Sequence, residues 1–163
     1  PAIPYNIRVA TQQVYQSFYD RINSVTLDKT FKVVILSGSH KDAKHVTAIT
    51  DACRGYELDC DTYIASAHKN TQYVLDLINN YDNNPNFSQV MYVTVAGRSN
   101  ALSGVVAANS KYPVIACPPF NGMLDMMTNL HSTIQCPSNV PVMTILEPVN
   151  VALAIHKLVT SHV

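Results

Sequence analysis

His68 and Lys69 follow directly on a short apolar run in Tyr63-Ile64-Ala65-Ser66-Ala67-His68-Lys69. An imidazole exchanges its proton near neutral pH, and an ammonium beside it attracts anions. Such a pair suits proton transfer on a small, negatively charged molecule. The pattern recurs. Lys32–Leu36 runs into Ser37-Gly38-Ser39-His40-Lys41-Asp42, Val90–Val95 into Ala96-Gly97-Arg98-Ser99-Asn100, and Val114–Cys117 into Pro118-Pro119. A glycine and small hydroxyls ahead of a helix make a phosphate-sized anion site reasonable, although most such turns only reverse the chain. For any one loop, plain solvation is the competing explanation. Recurrence sets the four apart.

These loops need elements to hold them. The Lys32–Leu36 run reads as a buried parallel strand, and Cys60–Ile64 as the second strand of the sheet. Helices are expected after the first three loops. One has Val46, Ile49 and Cys53 inward and ends near Gly55. The next has Val74, Leu75 and Ile78 inward and runs to about Asn80. The third carries the small residues Gly104, Ala107 and Ala108. Adjacent prolines at 118 and 119 forbid a helix there, and an irregular section is expected after them. A fifth strand over Val142–Leu146 and a last helix with Val151, Leu153, Ala154 and Leu158 complete the pattern. Strand-helix alternation with apolar strands predicts an α/β fold: a parallel sheet covered by helices on both faces, three layers in all. Right-handed crossovers then bring every post-strand loop to one sheet edge. Residues 1–30 read as an extension in which Thr11 caps a helix with Val14, Phe18 and Ile22 on one face, and residues 31–163 as the domain.

Composition narrows the function. The chain has 163 residues, a formal net charge of +0 and 47% hydrophobic residues. Its isoelectric point is about 7.4 and its mean hydropathy +0.05. No basic field invites nucleic acid, and no apolar run approaches the roughly 20 residues that span a bilayer. Charged residues make up 13% of the chain, against about 25% in typical soluble domains. Cys53, Cys60, Cys117 and Cys136 match no zinc spacing and are expected to be free thiols, with Cys60 and Cys117 buried. His40, His45, His131, His156 and His162 are expected to be surface or structural groups. The start at Pro1 suggests processing or a fragment.

Three segments in order, Ser66-Ala67-His68-Lys69, Ala96-Gly97-Arg98-Ser99-Asn100 and Cys117-Pro118-Pro119, resemble aminoimidazole ribonucleotide (AIR) carboxylase of purine biosynthesis. More narrowly they resemble its class II branch, which includes the carboxylase domain of the animal bifunctional enzyme. The mutase branch normally has Arg after the histidine and Gly-Gly-Ala-Ala-His where this chain has Gly97-Arg98-Ser99-Asn100. The resemblance covers about residues 31–158. It implies a flavodoxin-like three-layer sandwich, assembled as a homo-octamer with sites between subunits. It also implies reversible addition of carbon dioxide to aminoimidazole ribonucleotide without biotin, ATP, metal or other cofactor. By the family pattern His68 handles the proton on the carboxylated ring carbon. Ser39 and Asp42 would hold phosphate and ribose, with Lys41 beside the phosphate. Ser66 and Lys69 would add polar and cationic contacts. The Ala96–Asn100 loop would wall the carboxyl pocket with Arg98 available to the carboxylate, and Pro118 would be a further substrate contact. The expected compartment is the cytoplasm.

The pattern is not complete. The family's first loop is usually Gly-Ser-x-Ser-Asp, and here Lys41 replaces the second serine. Asn70 stands where glycine is common, and Cys136-Pro137-Ser138-Asn139 where Pro-Ser-Gly is usual. A glycine of positive φ can be replaced by Asn at small cost. These departures, with the low charge, define an alternative: a non-catalytic, secreted relative that uses the old pocket for another ligand.

Overall fold

The computed structural model of the protein describes residues 30–161. The helix expected around Val14, Phe18 and Ile22 lies outside these residues. Five parallel strands are present: β1 (Phe31–Ser37), β2 (Cys60–Ile64), β3 (Gln89–Val95), β4 (Val114–Ala116) and β5 (Met143–Thr144). Between and after them lie helices α1 (Ala43–Gly55), α2 (Thr71–Asp82), α3 (Ala101–Asn109), α4 (Met123–Ile134) and α5 (Pro148–Thr160). The sheet order is β2-β1-β3-β4-β5, with β1 and β3 adjacent at the centre.

Alternate residues of a strand face opposite sides, and β1 shows the consequence. Phe31, Val33 and Ile35 join Ile49 and Cys53 of α1 and Val151, Ala152 and Ile155 of α5 in one core. Val34 and Leu36 join Val74, Leu77 and Ile78 of α2 and Leu102 and Val106 of α3 in the other. The expected three layers are therefore present. Some inward residues differ. Leu77 is buried where Leu75 was expected; in α5 the buried apolar residues are Val151, Ala152 and Ile155, and Leu158 is exposed. Of the cysteines, Cys117 is buried but Cys60 only partly so, and all four are free thiols.

Two expectations fail on elements. The section after Pro119 is not irregular but holds the 12-residue helix α4. Its buried residues are Asn129 and Thr133, while Met123, Leu124, Met127 and Ile134 are exposed, so apolar periodicity marks the wrong face. The fifth strand is two residues long rather than five. Pro141 and Pro148 bracket that segment, and proline cannot donate to a ladder.

Candidate active site

Strand register decides where the loops begin. Ser37 at the end of β1 stands opposite Ile64 of β2 and Val95 of β3, and Ala116 of β4 opposite Thr94. The strands thus end at one level. Backbone bonds continue past the ladders: Ala65 N–H to Ser37 O at 2.8 Å, Gly38 N–H to Val95 O at 2.9 Å, and Cys117 N–H to Thr94 O at 2.8 Å. Neighbouring strands lie about 4.8 Å apart, so the roots of the loops after β2, β1 and β3 fall within about 10 Å. The chain leaves β1 toward β2 on one side and returns to β3 on the other. That is the topological switch point where open α/β sheets bind ligands.

The first loop is a tight bracket. Ser39 Oγ accepts the Lys41 N–H at 3.1 Å, and Ser39 O accepts the Asp42 N–H at 3.1 Å, shaping a single turn, His40–Asp42, ahead of α1. Asp42 takes no capping hydrogen bond, leaving its oxygens for a ligand. Partial burial pushes its carboxyl above the usual carboxylate range. His40 and Lys41 are exposed.

The second loop is built the same way. Ser66 Oγ accepts the Lys69 N–H at 3.3 Å, Ser66 O accepts the Asn70 N–H at 2.9 Å, and Thr71 Oγ1 donates to Ala67 O at 2.6 Å. Ala65 and Ala67 are buried while His68 and Lys69 are exposed, so small side chains seat the loop and leave the imidazole and ammonium outside. Asn70 caps α2 by accepting the Tyr73 N–H at 3.4 Å.

The third loop carries backbone strain. Arg98 has φ 21 and Ser99 φ 50, both in the left-handed region, at a cost of about 1–3 kcal/mol each. Helix α4 holds this conformation. Asn129 Oδ1 accepts the Arg98 N–H at 2.8 Å and Ser132 Oγ the Asn100 N–H at 3.1 Å. The Asn100 side chain is buried and fully used: it donates to Thr133 Oγ1 at 3.0 Å and accepts from Ser103 N–H at 3.1 Å, capping α3. Arg98 and Ser99 are exposed, Ala96 and Pro118 buried, and Gly97 intermediate. The Asn100 side chain thus braces its own loop, while the side chains of Arg98 and Ser99 are exposed. Among the described residues the ion pairs join Lys32 to Asp59 and Asp61, and Arg54 to Asp51; Arg98 enters none. Sequence reasoning missed Asn129, Ser132 and Thr133, whose only signal is a polar stripe on a helix that was itself missed.

This arrangement can be set against known proteins. A family description, AIR carboxylase, matches residues 32–162. The chain belongs to the AIR carboxylase family. It is 42% identical over 127 residues to the phosphoribosylaminoimidazole carboxylase of Archaeoglobus fulgidus, covering 78% of this chain and 68% of that one. It is 34% identical over 134 residues to the Drosophila melanogaster bifunctional phosphoribosylaminoimidazole carboxylase/phosphoribosylaminoimidazole succinocarboxamide synthetase, covering 82% of this chain but only 30% of that protein. The crystal structure of Treponema denticola PurE superposes with a TM-score of 0.72 at 33% identity, covering 78% of this chain and 79% of that one.

Within this AIR carboxylase fold, two departures have visible solutions. Asn139 has φ 68, the conformation in which Asn substitutes for glycine at least cost. Lys41 leaves the Ser39 turn intact, because that turn uses its backbone N–H. The start of the fourth loop adds a partly buried contact: His45 Nε2 of α1 lies 3.2 Å from Cys117 Sγ. Burial, aided by the charge of Glu147, pushes the Cys117 thiol up to about 12. Burial pulls His45 below the usual imidazole range, against opposing effects of Cys117 and Glu147. Both shifts favour the neutral forms, so the contact ties α1 to the end of β4 rather than making an activated thiolate. Among the described residues no group of three or more His, Cys, Asp or Glu stands where it could hold a metal ion.

Proposed function

We propose that this chain is an AIR carboxylase of purine biosynthesis, adding carbon dioxide reversibly to aminoimidazole ribonucleotide to give carboxyaminoimidazole ribonucleotide. The observation that carries this is the 42% identity to a carboxylase of that name, together with loops that meet at the switch point of the sheet. In the reaction the ring carbon attacks carbon dioxide and a C–C bond forms. The proton on the now tetrahedral carbon passes to a base, and the C–H electron pair restores the aromatic ring. In reverse the carbon is protonated and the C–C bond breaks.

Each loop has a part in this chemistry. His68, exposed on a loop seated by buried alanines, is assigned the proton. Asp42, with no cap to serve, accepts ribose hydroxyls, and Ser39, Lys41 and Lys69 attract the phosphate at the start of α1. Ser66 braces the His68 turn. Arg98, free of ion pairs among the described residues, faces the developing carboxylate, with Gly97 and Ser99 around it.

We also infer a homo-oligomer, an octamer by family resemblance, working in the cytoplasm. Met123, Leu124, Met127 and Ile134 of α4 are 70%, 80%, 51% and 57% exposed, an apolar face that assembly would cover. The non-catalytic alternative finds no comparable support. Calorimetry with carboxyaminoimidazole ribonucleotide tests the site. Saturable binding weakened by Asp42→Ala supports the assignment, and absence of binding by the native chain refutes it.

A further inference from the structure

We propose that Asn129 is a positioning residue for carboxylation, fixing the Arg98 loop against the fourth loop; this rests on the carboxylase reading above. The side chain is 3% exposed, and each end of its amide is engaged. Oδ1 accepts the Arg98 N–H at 2.8 Å, and Nδ2 donates to Pro119 O at 2.7 Å. One planar group therefore sets the spacing between the loop that presents Arg98 and the loop that follows β4. Two further observations say that the spacing matters. Arg98 and Ser99 adopt left-handed backbone that neither residue favours, and such conformations persist only where surrounding bonds hold them. Gly97 admits the amide: a Cβ there would come within 3.1 Å of Asn129 Nδ2. Asn129 touches no reacting atom in this scheme. Its effect passes through the place where the Arg98 main chain begins.

The test separates the two ends of the amide. Asn129→Ala removes both bonds. Asn129→Asp keeps an acceptor for the Arg98 N–H and loses the donor to Pro119. Decarboxylation kinetics and hydrogen exchange at residues 96–100 are measured on both. For Asn129→Ala, kcat should fall roughly 10–100-fold with KM within about 3-fold, since misplacement by about 1 Å costs that order. Exchange at the Arg98 amide should quicken at least ~10-fold as its acceptor is lost. Asn129→Asp should restore slow exchange at the Arg98 amide and part of the lost kcat, the remainder resting on the missing Pro119 bond, even if its melting temperature stays low. A merely structural role would make activity follow melting temperature in both variants, and that outcome overturns the proposal. So does a folded Asn129→Ala with native kcat and exchange. Should Asn129→Ala not fold, Asn129→Ser replaces it, being too short to make both contacts. If the native protein shows no turnover, the carboxylase reading fails by itself. Exchange still decides the loop: fast in Asn129→Ala and slow in Asn129→Asp supports the hold, and equal rates in all three proteins overturn it.

Discussion

Ser37 stands opposite Val95 in the central strand pair, and one residue on, the Gly38 N–H donates to the Val95 carbonyl at 2.9 Å. The loop assigned to phosphate and ribose and the loop assigned to the carboxyl group thus leave the sheet side by side. They are almost 60 residues apart in the chain. A ligand with a phosphate at one end and a developing carboxylate at the other spans such a pair.

Lys41→Ser tests the first loop. Lys41 is exposed, and exposed charges contribute about 0–1 kcal/mol to an interaction. The substitution should raise KM by no more than about 5-fold and leave kcat unchanged, because the phosphate lies away from the reacting carbon. Steady-state kinetics at two ionic strengths check this, and the difference between the proteins should shrink with salt.

Asp82→Ala tests the frame beneath the loops. The buried carboxylate accepts from Tyr92 Oη at 2.8 Å, Lys111 N–H at 2.8 Å and Ser110 Oγ at 3.0 Å, tying the end of α2 to the approach to β4. Hydrogen bonds to a charged group are worth about 1.5–3 kcal/mol, so the loss should be about 3 kcal/mol or more. Denaturant unfolding reads it directly, with Asp82→Asn falling between the variant and the native protein.

How much was legible beforehand follows from where the apolar residues lie. Val33-Val34-Ile35-Leu36 and Val90 to Val95 are continuous apolar runs because parallel strands are covered on both faces, and both were found within a residue of their ends. The His68 loop was legible as the break after Tyr63-Ile64-Ala65, and the Arg98 loop as the break after Val95. Helix α4 was not, since it buries Asn129 and Thr133 and exposes Met123 and Leu124, inverting the pattern that marks a helix. Asn129 was hidden for a second reason. Its partner Arg98 is 31 residues away, and only the fold brings them to 2.8 Å.

Lys32 predicts a pH effect. Burial pulls its ammonium down, but the carboxylates of Asp59 at 2.5 Å and Asp61 at 3.4 Å outweigh this, and the folded pKa is raised above 10.5. A group raised in the folded state stabilises it fully below the unfolded value and loses that effect as pH rises through the folded value. Stability should therefore fall above about pH 10.5. Lys32→Met should be weaker at pH 8 and show less of that alkaline loss, as measured by thermal melts from pH 8 to 11.

Thiol labelling should follow burial. Cys117 is fully buried with its thiol pushed up to about 12, so iodoacetamide should not reach it in the native protein at pH 8. Partly exposed Cys136 should react first, and mass spectrometry of the labelled peptides gives the order.

The proton-transfer role of His68 is the centre of this account, and turnover of carboxyaminoimidazole ribonucleotide tests it most directly. Decarboxylation by the native protein is compared with His68→Asn under saturating substrate, with binding followed by calorimetry. General acid–base groups contribute about 10²–10⁴-fold, so His68→Asn should lose at least about 100-fold in kcat and keep nucleotide affinity within a few-fold. Native turnover by His68→Asn would contradict the assignment.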